Sequence, residues 1–86
     1  MHRVSVPYPS VRVGDVIDDL GQLAVVTFVG QRGGAGVIQS IGANGQRRET
    51  VYPARTATGT FSRVGEGCAP TPEGLHDFIV RRLKDP

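Results

Sequence analysis

Between Val16 and Val64 the chain alternates short apolar or β-branched stretches with glycine-bearing breaks: Val16-Ile17, Leu23–Val29, Val37–Ile41, Arg47–Tyr52 and Thr60–Val64. Stretches of this length bounded by turn formers predict β-strands, and their succession predicts a meandering antiparallel sheet. Arg3–Val6 also alternates, but Pro7 and Pro9 remove backbone donors, so this segment is expected at an edge. In Leu23–Val29, regular alternation puts Leu23, Val25, Thr27 and Val29 on one face and Ala24, Val26 and Phe28 on the other. Apolar side chains on both faces predict a central strand covered from both sides, or one that bends between two sheets.

The breaks have their own chemistry. Gly14-Asp15 starts the strand at Val16, and Asp18-Asp19-Leu20-Gly21 reads as a β-turn with acids early and glycine last. Gly30–Gly36 reads as a mobile loop holding Arg32. Gly42-Ala43-Asn44-Gly45 reads as a hairpin turn, Asn44-Gly45 suiting positive φ angles. Tyr52-Pro53-Ala54-Arg55 ends a strand, with room for a short helical turn before Thr60–Val64 closes the sheet. Phe61 is the expected aromatic core plug. Gly65–Pro70 is a linker, and one helix follows it. Thr71 suits the N-cap, Pro72 the first helical position, and Glu73 the dipole. Leu75, Phe78, Ile79, Arg82 and Leu83 fall on one helical face, Arg82 through its aliphatic stem. His76, Asp77, Arg81 and Lys84 fall opposite, with Asp77 and Arg81 spaced as an ion pair and Asp85-Pro86 as the stop.

Composition agrees with this outline. The 12 glycines and 6 prolines among 86 residues favour tight turns over long helices. A chain of this size forms one core and buries roughly 60–65% of its unfolded surface, so stability on the order of 5 kcal/mol is expected. The expected fold class is therefore all-β: a five- to six-stranded antiparallel barrel over residues 1–65. Residues 66–86 supply the linker and one C-terminal α-helix packed on the same domain. Cys68 is the only cysteine, which fits a reducing compartment. No apolar run is long enough to span a membrane, and Met1–Pro9 lacks the apolar core of a signal peptide. The expected setting is soluble and cytoplasmic. The arginine, valine and glycine bias fits a high-GC bacterial or phage genome.

The order Val13-Gly14-Asp15-Val16-Ile17, long first hairpin, glycine loop, Asn-Gly hairpin, then Tyr52-Pro53 before a last strand resembles Src-homology-3-like small barrels, including Tudor-like and KOW-type modules. The resemblance implies a fold and stops there. Proline-peptide binding requires an aromatic groove with tryptophan, and this chain has no Trp and only Tyr8 and Tyr52 as tyrosines. A methyl-lysine cage requires several clustered aromatics. Val13-Gly14-Asp15-Val16 also resembles the opening strand of toxin endoribonucleases of this barrel class, without their later aromatics and catalytic arginine. That makes ribonuclease activity the third reading in order of support.

Candidate chemistry narrows quickly. Gly33-Gly34-Ala35-Gly36 lacks the Gly-Lys-Ser/Thr of a phosphate loop, and Gln39 stands where a dinucleotide fingerprint needs glycine. His2, Cys68 and His76 have no metal-ligand spacing, and Asp15, Asp18 and Asp19 lack the other ligands of a calcium loop. Pairings of His76 with a serine or with Cys68 are distant. No metal, cofactor or catalytic residue is expected, and a non-enzymatic binding module is.

Charge decides the expected partner. Residues 22–65 hold Arg32, Arg47, Arg48, Arg55 and Arg63 against Glu49, a local charge of +4, while Asp15, Asp18 and Asp19 sit on the first turn. The arginines with Tyr52 suit phosphate gripping and base stacking, so nucleic acid is the preferred partner. Arg47 and Arg48 alternate sides of a strand, so at most one shares a face with Arg55 or Arg63. Another protein is the alternative partner, in an adaptor or a phage or other assembly component. That reading draws on the Arg3–Val6 edge, the Gly30–Gly36 loop and a detachable helix.

Overall fold

Every apolar stretch becomes a strand in the computed structural model, which describes residues 3–56 and 58–84. The strands are β1 (Val4–Pro7), β2 (Val16–Asp19), β3 (Gln22–Arg32), β4 (Ala35–Gly42), β5 (Arg47–Pro53) and β6 (Thr60–Gly65), followed by helix α1 (Pro72–Lys84). They form one antiparallel sheet in the order β1-β6-β2-β3-β4-β5. β1 lies at an edge, as its prolines require. β6 does not close the sheet: it lies inside it, between β1 and β2, and β1 and β5 end the strand order without a ladder joining them. The expected helix stop at Asp85-Pro86 and the candidate ligand His2 lie outside the described residues.

The sheet has apolar side chains on both faces. One face gathers Val6, Val11, Ile17, Ala24, Val26, Ile38 and Phe61, with Tyr8, Val29 and Tyr52 packed against them. Every strand contributes to this inner face. Phe61 is 9% exposed there, the core position expected of it. Tyr8, in a short 3-10 turn after β1, touches Tyr52 on β5 with ring centroids 5.2 Å apart. The sheet therefore curls until groups beside its two outermost strands meet. The outer face gathers Val16, Val25, Ile41 and Val64 under Leu75 of α1, with Phe78 and Ile79 alongside.

Strand β3 serves both cores, but not by simple alternation. The register on β4 shifts between Val26 and Phe28, so Thr27 and Phe28 together oppose Gln39. This bulge returns Val29 to the inner face with Ala24 and Val26, correcting the uninterrupted alternation expected of Leu23–Val29. One extra residue bends the strand and resets its faces.

The turns are tighter than their glycines suggest. β2 and β3 are joined by Leu20-Gly21 alone, with φ of 53° and 86° and Asp19 paired with Gln22. The turn thus sits one residue later than the expected Asp18–Gly21, in the I′ form that suits the twist of a hairpin. Asp18 Oδ1 accepts the Gly21 N–H at 2.9 Å. The expected loop Gly30–Gly36 is almost entirely strand, since only Gly33 and Gly34 lie between β3 and β4. Its flanking glycines make room for rings. A Cβ on Gly36 would meet the Tyr52 ring at 2.1 Å, and one on Gly30 the Phe28 ring at 2.6 Å. The β4–β5 hairpin turns through Gly42–Gly45 as expected, with φ of 83° at Gly45. Asn44 instead acts through its side chain, whose Oδ1 accepts the Gln46 N–H at 3.0 Å. After Pro53 the chain passes through a turn at Ala54–Thr56 and forms no helical turn there.

Helix α1 starts where its residues dictate. Thr71 Oγ1 accepts the Gly74 N–H at 3.0 Å, and Pro72 is the first helical residue. Leu75 is fully buried, so the helix is a lid on the outer face and part of the core. Arg82 lays its guanidinium 5.1 Å from the Phe78 ring centre and donates to the Val64 carbonyl. Leu83, expected on the packed face, is 82% exposed, because the helix by then has run past the sheet residues it covers. Asp77 and Arg81 make no ion pair among those formed by the described residues.

Candidate functional site

The six residues expected to bind nucleic acid are spread over the sheet. Arg32, at the end of β3, reaches across the outer face to Glu49 on β5, with contacts of 3.4 and 3.5 Å. Gln39 donates to the same carboxylate at 3.0 Å. The Gln39 hydrogen bond, followed by the Arg32 interactions, lowers the Glu49 pKa below its ordinary value. Arg48 lies 3.4 Å from Asp19, and Arg63 lies 3.7 Å from Asp15 and 3.1 Å from Glu66. Tyr52 is half-buried between Tyr8 and Gly36. Arg47 and Arg55 are exposed, and no carboxylate among the described residues pairs with either.

This arrangement corrects the expected separation of charge. The acids of the first turn fold against arginines from elsewhere: Asp15 on Arg63, Asp18 on Arg3 and Asp19 on Arg48. The Arg3 hydrogen bond is the main cause of a lowered Asp18 pKa. Asp15 is also tied down locally, accepting the Arg12 N–H at 3.0 Å. The segment that looked like a surplus of +4 is thus largely neutralised in three dimensions.

Other chemistry is sparse. Burial and then the nearby Asp77 charge raise the Cys68 pKa, so it stays a thiol at neutral pH and is a poor nucleophile. No three His, Cys, Asp or Glu side chains gather as a metal site among the described residues. No helix among them is long and apolar enough to cross a membrane.

The feature that side-chain reading missed is the backbone of β5. The Gly42 N–H donates to the Gln46 carbonyl at 2.9 Å, which fixes the phase of the β4–β5 ladder. Antiparallel alternation then points the N–H and C=O groups of Arg48, Thr50 and Tyr52 toward β4, and those of Arg47, Glu49 and Val51 away from the sheet. Pro53, next in that outward series, has no N–H to offer. The side chains of Arg47, Glu49 and Val51 share the outer face. There Val51 is 55% and Phe28 46% exposed. Beside them a groove of about 550 Å³ runs between Gln39, Ile41, Arg47 and Glu49 on the sheet and Pro70 and Pro72 at the start of α1. The loop reading of Gly30–Gly36 hid this surface, because it shortened the hairpin that β5 extends.

Comparison with known proteins adds no family: no protein-family model, curated protein or solved structure matches the chain.

Proposed function

We propose that this chain is a non-enzymatic protein–protein assembly module that lends the free edge of β5 to a partner's sheet. The scaffold is a small, partly open barrel of the Src-homology-3-like kind. The observation that carries the reading is the outward ladder of Arg47, Glu49 and Val51, bordered by the groove and by exposed Phe28. Strand addition draws affinity from main-chain hydrogen bonds and specificity from side chains beside the edge. β1, the other edge, has only four residues against seven in β5, and each ends in a proline. The barrel description rests on the inner cluster shared by all strands and on the Tyr8–Tyr52 contact.

Nucleic acid, the partner preferred on sequence, has less to draw on. Of its five arginines, Arg32, Arg48 and Arg63 face carboxylates. Selection of a displayed random-peptide library on the protein tests the choice. Strand-forming peptides are expected, with about tenfold weaker binding to Glu49→Pro, and with Val51→Lys as a second, milder edge variant. Circular dichroism checks that both variants fold. No enriched peptide, together with a salt-sensitive DNA or RNA shift that weakens in an Arg47→Ala, Arg55→Ala double variant, overturns the proposal.

A further inference from the structure

We infer that the partner of the β5 edge is a second copy of this chain, paired antiparallel through β5 about a two-fold axis beside Arg48. The inference rests on the edge reading above and adds the occupant. Only residues with outward backbone groups can exchange hydrogen bonds across such an interface, so Arg47, Glu49, Val51 and Pro53 define the possible registers. Two-fold registers that pair Glu49 with one of these positions number four, and the one setting Val51 opposite its own copy brings Glu49 against Pro53 and matches no charges.

Setting Glu49 opposite its own copy places two like-charged carboxylates directly across the interface. Setting Glu49 opposite Val51 of the other copy brings Arg47 against Pro53, which lacks a donor. Setting Arg47 opposite Glu49 of the other copy forms four backbone hydrogen bonds and two reciprocal ion pairs. Only this register matches opposite charges, and it uses the one β5 arginine without a carboxylate of its own among the described residues. On the inner face it brings the two Arg48 side chains together, each already held 3.4 Å from Asp19 of its own chain. The sheets of the two copies become continuous.

Light scattering after size exclusion, across a concentration series, tests this directly. The wild-type chain is expected to move from monomer to dimer as concentration rises. Arg47→Glu and Glu49→Arg, each folded by circular dichroism, should weaken dimerisation at least about tenfold, and the Arg47→Glu, Glu49→Arg double variant should restore it. On dimerisation the amides of Arg47 and Glu49 should gain hydrogen-exchange protection, and that of Val51 should not. A wild-type chain still monomeric at about 1 mM, or a dimer indifferent to both single reversals, overturns the inference. If the monomer still binds library peptides through β5, the occupant is wrong and the edge reading stands. If it binds none, both fall.

Discussion

Leu20 is the clearest local conflict between residue and conformation. It holds a φ of 53° in a two-residue turn and is 89% exposed, so nothing in the core rewards a leucine there. L-residues other than Asn and Asp seldom take this region, and the pair Asn-Gly is favoured in turns of this form. Leu20→Asn is expected to raise stability by about 0.5–1 kcal/mol, read as a higher midpoint in urea. Phe61 is the opposite case, a residue whose place the sequence announces. Its ring is tilted on Tyr8 with centroids 5.0 Å apart inside the inner cluster. Phe61→Ala should cost roughly 3–5 kcal/mol in the same measurement. A loss under 1 kcal/mol would show that the cluster repacks.

At the scale of elements, strands and helix were legible because their signals are local: β-branched runs, prolines at an edge, Thr71-Pro72 at a helix start. What was not legible depends on contacts between elements. Glycine normally marks a break, so Gly30 and Gly36 argued for a loop, yet each is a strand position over which an aromatic ring lies. Gly36 is paired directly with Tyr52. Gly36→Ala should therefore lower the melting temperature, and the loss should shrink when Tyr52→Ala removes the ring. Equal losses in both backgrounds would mean that the ring is not what the glycine accommodates. The candidate site was hidden for a related reason. Arginines can be counted along a sequence, whereas their neutralisation by Asp15 and Asp19 requires the folded sheet.

For the whole molecule, the ion pairs from Arg3 to Asp18 and from Arg32 to Glu49 tie segments distant in sequence. Both carboxylates have folded pKa values below their ordinary ones. A depressed folded pKa favours the native state above the unfolded pKa, and that contribution is lost as pH falls through the folded value. Melting temperature should hold from neutrality to about pH 5 and fall below it. Because Glu49 is exposed and Asp18 half-buried, with both pairs at the surface, added salt should flatten the dependence. A melting temperature unchanged through the carboxylate range would remove these pairs from the account of stability.

The bulge at Thr27 has a consequence for how the chain tolerates changes in length. Losing a residue from a central strand ordinarily turns every later side chain to the wrong face. Here Thr27 and Phe28 both stand opposite Gln39, so deleting Thr27 leaves Val26 and Val29 on the inner face and Phe28 on the outer. Deleting Val25 instead would exchange inner-face and outer-face positions between there and the bulge, turning Val26 out of the inner cluster. In a scan of single-residue deletions along β3, positions 27 and 28 should stand out as the ones this strand can lose and still build both cores.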